Sequence, residues 1–168
     1  PAGHNLNPRA GTPGPWSERI PHFPLDSEPS AGGDELQSEY FVDRRHGAAA
    51  LEALRALGSR ISPHLRTAEI RTVAADELWM SPAYRRNSLC IGFTWHKHPP
   101  EIAALLPAIE TALATYEPRP HWGTLYAFDA VDLSARFPRL RDYLELVDTY
   151  DPDGKFSNPF LRRIVFRI

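Results

Sequence analysis

The sequence is short of several things. It holds one cysteine, Cys90, in 168 residues, so no internal disulfide can form. The neighbours of Cys90 are apolar, and a buried, inert thiol is expected. No run approaches the ~20 apolar residues of a membrane-spanning helix. Neither sign of charge dominates. The 19 Lys and Arg against 21 Asp and Glu leave a formal net charge of −2, which argues against a general nucleic-acid surface. There is no P-loop, no G-x-G-x-x-G and no G-x-S-x-G. The chain therefore brings no recognisable phosphate loop, dinucleotide cradle or nucleophile elbow of its own. An initiator Met is also lacking. The chain opens at Pro1, and a processed, trimmed or partial polypeptide is expected.

Proline is what the chain has in excess, 17 residues in all. Residues 1–34 hold Pro1, Pro8, Pro13, Pro15, Pro21, Pro24 and Pro29 with five glycines, which excludes a regular helix or central strand. Trp16, Ile20, Phe23 and Leu25 punctuate this stretch, so it reads as an extended arm whose apolar residues dock on something. The remainder is ordinary in composition, 42% hydrophobic and 24% charged overall, and long enough for one domain with a real core.

Along that remainder, ELQSEYFVD at 35–43 reads as a strand. Gln37, Glu39 and Phe41 share one face, and Leu36, Ser38, Tyr40 and Val42 the other. A helix is predicted over about 46–60 from Leu51, Leu54, Leu57 and Ile61, stopped by Pro63. Two strands follow, Glu69–Val73 and Ser88–His96, joined through a polar connection at about 77–87. The clearest helical stripe is Ile102, Leu105, Leu106, Ile109 and Leu113, opened by Pro99-Pro100 and interrupted at Pro107. A last strand is predicted at His121–Phe128. The order β-α-β-β-α-β is the split βαβ, ferredoxin-like pattern, an α+β fold with helices on one face of an antiparallel sheet. Three parts result: an irregular arm over 1–34, a split βαβ core over 35–128, and a helical segment over 129–168.

Chemistry concentrates on the paired strands. Glu69 and Arg71 point one way on the first, and Gly92, Thr94 and His96 share a face on the second. A charged pair on a strand is either a structural salt bridge or a working one. In the working reading, Arg71 orients an oxygen and Glu69 accepts hydrogen bonds from hydroxyls. Gln37 and Thr94 add neutral partners, and the row suits a polyol or sugar acid. Two further signals have simpler readings. His96, His98 and His121 could form a three-His metal site, but Pro99 ends the strand and two polar strand-end residues suffice. Asp148, Asp151, Asp153 and Gly154 lack the ligand spacing of an EF-hand and read as a turn. Arg85-Arg86 and Arg162-Arg163 read as solvated pairs.

The segments LQSEYFV (36–42), EIRTVAADELWMSPAY (69–84), FTW (93–95), RPHWGT (119–124) and DPDGKFSNPF (151–160) carry a family likeness. Together they resemble the FAD-linked carbohydrate oxidases of the vanillyl-alcohol-oxidase superfamily: the alditol (xylitol) oxidases first, and the aldonolactone oxidases, such as the D-arabinono-1,4-lactone oxidases, next. The resemblance implies that this chain is the C-terminal, substrate-binding half of such an enzyme, with the FAD-binding domain outside it. It implies Gln37, Glu69, Arg71 and Thr94 as ligands of a polyol or sugar lactone, with Glu69 and Arg71 over the reacting end. It also marks two departures. Gly92 stands where the alditol oxidases have a histidine, and Thr124 where they have a lysine. Lys155, Phe156 and Asn158 resemble a signature near the family's domain interface. The implied reaction passes hydride from a substrate C–H to the flavin, with oxygen as the final acceptor. A dehydrogenase using another acceptor, or a ligand-binding module without redox chemistry, are the alternatives. No nucleic-acid partner is expected, a cytoplasmic location is, and membrane association stays open.

Overall fold

The computed structural model describes Pro13, Pro15 and residues 35–166. The arm expected over 1–34, with Trp16, Ile20, Phe23 and Leu25, lies outside the described residues apart from those two prolines. The chain divides into two compact units, Pro1–Glu35 and Leu36–Ile168. The helices, and all but the first residue of the sheet, belong to the second.

The sheet has four strands, β1 (Glu35–Asp43), β2 (Leu65–Val73), β3 (Ser88–His96) and β4 (Arg119–Pro120), in the order β2-β3-β1-β4. β2 pairs antiparallel with β3, and β1 with β4. β1 and β3 are antiparallel as well. The Trp95 indole meets Ser38 at one end, while the Arg44 amide meets the Asn87 carbonyl at the other. Helices α1 (Gly47–Arg55) and α2 (Gly58–Ile61) follow β1, and α3 (Pro99–Leu113) follows β3. This is the split βαβ arrangement.

Alternation decides which face is buried. Tyr40 and Val42 of β1 and Ile91, Phe93 and Trp95 of β3 join Ala50, Leu54, Ile102, Leu106 and Ile109 in one core. The α3 stripe read from sequence is buried at every position. Pro107 lies inside that helix, which runs from Pro99 to Leu113 without a break. One lost i→i−4 bond is tolerated where a stripe this apolar holds the helix down. α4 (Ala130–Arg136), α5 (Leu140–Tyr150) and α6 (Pro159–Ile164) add Leu133, Leu140 and Ile164 to the same core, with Phe137 just past α4.

Several local expectations change. The first helix breaks at Ala56-Leu57, where the Leu57 amide closes a tight turn onto the Leu54 carbonyl at 2.9 Å. β2 begins at Leu65, ahead of the expected Glu69. The strand expected at His121–Phe128 is not formed. Only Arg119–Pro120 pairs as β4, because His121–Thr124 closes a turn through the Thr124 amide and His121 carbonyl at 3.2 Å. Chain-to-chain bonding resumes once, from the Leu125 amide to the Gln37 carbonyl at 2.8 Å. The turn at Asp151–Gly154 is as read, with Gly154 at φ 63. Both Asp151 carboxylate oxygens accept backbone amides, from Lys155 at 2.7 Å and Phe156 at 2.8 Å. Those bonds make Asp151 the organiser of a turn.

Arg86 also differs from its reading as half of a solvated pair. Its guanidinium donates to the Phe41 carbonyl at 2.8 Å and the Glu117 carbonyl at 2.9 Å. Burial, with Arg119 nearby, pulls its pKa down to about 10. Arg119 in turn donates to the carbonyls of Tyr84 at 2.8 Å and Arg136 at 2.8 Å. These two side chains tie the long β2–β3 connection to the body.

Glu110 on α3 is a buried carboxylate, 7% exposed. It accepts the Tyr40 hydroxyl at 2.8 Å and the Ala127 amide at 2.6 Å. Burial pushes its pKa up, against the pull of those two bonds. A carboxyl raised in the folded state contributes stability below its unfolded pKa, and loses it as pH rises through the folded value. Glu110→Gln keeps an acceptor oxygen and carries no charge. It is expected to match or exceed wild-type stability at alkaline pH and to flatten the loss of stability as pH rises above the ordinary carboxylate range, in urea titrations. Glu110→Ala strands two buried donors and is expected to cost about 2–3 kcal/mol. A wild-type slope retained in Glu110→Gln would show that another group sets it.

Candidate functional site

The sheet face turned away from α1 and α3 is the polar one. Its residues come from three adjacent strands. Across the β2–β3 pairing, Glu69 lies opposite Gly92, Arg71 opposite Cys90, and Thr67 opposite Thr94. Side chains at paired positions share a face, so these residues stand together. β1, on the other side of β3, contributes Gln37 and Glu39 by the alternation that buries Ser38, Tyr40 and Val42. Gln37, Glu69, Arg71, Gly92 and Thr94 are thus brought onto one surface.

Arg71 is the centre of the charge. Its Nη2 donates to Glu39 Oε1, and its Nε lies 4.0 Å from Glu69 Oε2. The sequence pairs Arg71 with Glu69, but the structure makes Glu39 the closer partner. The same nitrogen lies 3.6 Å from the Cys90 sulfur. Partial burial works against the Arg71 charge, but Cys90, Glu39 and Glu69 outweigh it, and its pKa moves up. Burial, with Glu39 adding, pushes the Cys90 thiol up, in keeping with an inert cysteine. Side-chain exposures are 20% for Glu39, 50% for Arg71 and 61% for Glu69. Glu39 is therefore the sheltered inner carboxylate, while Glu69 and part of the guanidinium remain available to a ligand.

Gly92 forms the floor between the two acids. A Cβ there would sit 3.6 Å from Glu39 Oε1 and 3.7 Å from the Glu69 Cβ, ordinary contact distances. A Cβ is accommodated at this position, so the backbone itself does not require glycine here. Thr124 sits in the turn after β4. Its hydroxyl accepts the Glu39 amide at 3.2 Å and donates to the His121 carbonyl at 3.2 Å. It braces the strand that carries Gln37 and Glu39.

The three histidines are not gathered. His98 Nδ1 lies 3.1 Å from His64 Nδ1 at the end of β3, while His121 bonds in its own turn to the Gly123 amide. Among the described residues, no group of three or more His, Cys, Asp or Glu side chains is arranged to hold a metal ion. No described helix is long and apolar enough to cross a membrane.

The residue that sequence reasoning passed over is Glu39. Alternation already set it beside Gln37, and an acid on a polar strand face was the available signal.

The chain has relatives among known proteins. An alditol oxidase from a Streptomyces species is 43% identical over 161 residues, covering 96% of this chain and 39% of that protein. An L-gulono-1,4-lactone dehydrogenase from Mycobacterium tuberculosis is 31% identical over 131 residues, 77% of this chain and 30% of that protein. An L-gulonolactone oxidase from Mus musculus is 24% identical over 124 residues, 68% of this chain and 28% of that protein. The chain thus spans well under half the length of each. The family model for D-arabinono-1,4-lactone oxidase matches residues 34–164, which takes in the whole sheet and α1–α6, and the chain belongs to that family.

Proposed function

We propose that this chain is the substrate-binding part of an FAD-dependent oxidoreductase that oxidises a CH–OH group of a sugar alcohol or aldonolactone, with oxygen as acceptor. The observation that carries the reading is the open polar face, where Gln37, Glu69, Arg71 and Thr94 surround Gly92 on three adjacent strands. Such a surface offers a polyol alternating donors and acceptors.

The flavin itself fits this chain only as a neighbour. A dinucleotide diphosphate needs cations or a helix N-terminus with a glycine-rich turn. On this face the Arg71 guanidinium is already engaged by Glu39. The cofactor is therefore held by polypeptide outside this chain. When bound, it supplies the two-electron acceptor. The chain's own residues bind and orient. Arg71 donates to an oxygen of the substrate, and Glu69 accepts from its hydroxyls and lies within reach of the proton released from the oxidised one. Gln37 and Thr94 fix neighbouring hydroxyls. Correct placement of the reacting C–H against the acceptor is the protein's share of the catalysis.

The test uses the full-length flavoprotein that contains this chain. It is expected to turn over alditols or aldonolactones and to form hydrogen peroxide in proportion. A second reading, a dehydrogenase, is favoured by the likeness to the mycobacterial L-gulono-1,4-lactone dehydrogenase. Dye reduction without peroxide would select it. The Cβ space at Gly92 allows a further check. Gly92→His with Thr124→Lys restores the imidazole and cation that the resemblance assigns to alditol oxidases. The double variant is expected to raise alditol kcat/KM by about tenfold, the scale of a single added polar contact. No gain would show that these two positions do not set the preference.

A further inference from the structure

We infer that Glu39 makes this site select uncharged polyhydroxy substrates over their carboxylates, because it occupies the guanidinium that would otherwise bind an anion. The inference rests on the reading of Arg71 as a substrate ligand.

A substrate carboxylate binds arginine best through two parallel N–H···O bonds. Arg71 cannot offer its Nε–Nη2 edge for that fork freely. Its Nη2 is bonded to Glu39 Oε1, and its Nε is turned toward Glu69 at 4.0 Å. The bond to Glu39 is the better shielded one, since the Glu39 side chain is 20% exposed against 61% for Glu69. Electrostatic attraction strengthens as solvent is excluded, so Glu39 holds its claim on the guanidinium. Glu39 is fixed from behind as well, its amide bonded to Thr124 Oγ1 at 3.2 Å.

The local charge points the same way. Two carboxylates flank the Arg71 guanidinium. The space above Gly92 borders the Glu39 carboxylate, with Glu39 Oε1 at 3.6 Å and the Glu69 Cβ at 3.7 Å from a Cβ position. An anion entering there meets the Glu39 charge at close range. A hydroxyl meets two acceptors and the remaining guanidinium N–H groups, and can satisfy both roles at once. Uncharged alditols and lactones fit, and aldonates do not. The polyol alternative is retained, and the sugar-acid alternative drops out.

The experiment compares kcat/KM for an alditol and for the aldonate of the same carbon length in the full-length flavoprotein. Wild type is expected to favour the alditol by about 100-fold or more, the effect of a like-charge juxtaposition. Glu39→Gln frees the guanidinium and removes one negative charge. It is expected to narrow that ratio by about tenfold or more, chiefly through KM for the aldonate. Glu39→Asp keeps the charge and is expected to keep most of the wild-type ratio. A merely structural role for Glu39 would lower both substrates in proportion, and an unchanged ratio in Glu39→Gln overturns the inference. If the full-length protein oxidises no alditol, lactone or aldonate, the functional reading falls separately. Selectivity is then read in binding, from amide resonances of Gln37, Gly92 and Thr94 in this chain. Larger shifts with the alditol sustain the inference, and equal or larger shifts with the aldonate overturn it.

Discussion

Replacing Arg71 by alanine in the full-length flavoprotein is expected to lower polyol kcat/KM by about 10²–10³-fold, the scale seen when one preorganised donor is removed from a reacting oxygen. The loss should fall mainly on kcat if the guanidinium aligns the reacting end, and mainly on KM if it only anchors a remote hydroxyl. Folding should survive. The Arg71 side chain is half exposed, on a strand at the edge of the sheet. The pair with the sheltered Glu39 is only partly exposed, and its loss is expected to cost about 1–3 kcal/mol, short of unfolding the domain. Glu39 and Glu69 would then face each other without a counter-charge, so the variant should also bind added cations better than wild type does. Arg71→Lys keeps the charge but loses the planar fork, and is expected to recover only part of the rate. Wild-type kinetics in Arg71→Ala, with an unchanged melting temperature, would reduce Arg71 to a surface salt bridge.

Arg71 also shows where sequence reasoning stops. Two-residue alternation was enough to place Glu69 and Arg71 on one face, and Gly92 and Thr94 on another that proves to be the same surface. Strand adjacency was not readable at that level. The order β2-β3-β1-β4 sets β1 beside β3, which brings Glu39 within reach of a long arginine one strand further away. The turn at His121–Thr124 escaped for a related reason. Its residues alternate passably, but a turn closed by the Thr124 amide leaves only two residues for β4. Arg86 was hidden differently. A basic pair in sequence says nothing about the carbonyls it will meet, and those of Phe41 and Glu117 converge on it only after folding. The α3 stripe and the split βαβ order were legible because both depend on burial periodicity alone, which the chain carries locally.

Trp95→Ala is expected to unfold the domain. Trp95 is fully buried, stacks on Phe93 with ring centroids 4.9 Å apart, and donates its indole N–H to Ser38 Oγ at 3.0 Å. Truncating a buried tryptophan costs about 3–5 kcal/mol. Domain stabilities start at about 5 kcal/mol, so little would remain. Trp95→Phe separates packing from hydrogen bonding. It keeps an aromatic ring and leaves the Ser38 hydroxyl without its donor, for an expected loss of about 1–3 kcal/mol. Ser38→Ala leaves the indole N–H unpaired at a similar cost, and the double variant should lose less than the sum, because one bond underlies both. Urea titration of the four proteins measures the cycle. The result bears on function through β3. Trp95 and Phe93 anchor one face of the strand whose other face presents Gly92 and Thr94, and a one-residue slip would exchange the two. Trp95→Phe should therefore stay close to wild type in kcat/KM while losing stability. A Trp95→Phe protein that is stable but inactive would instead mean that the indole N–H, and not the packing of the ring, sets the position of the site.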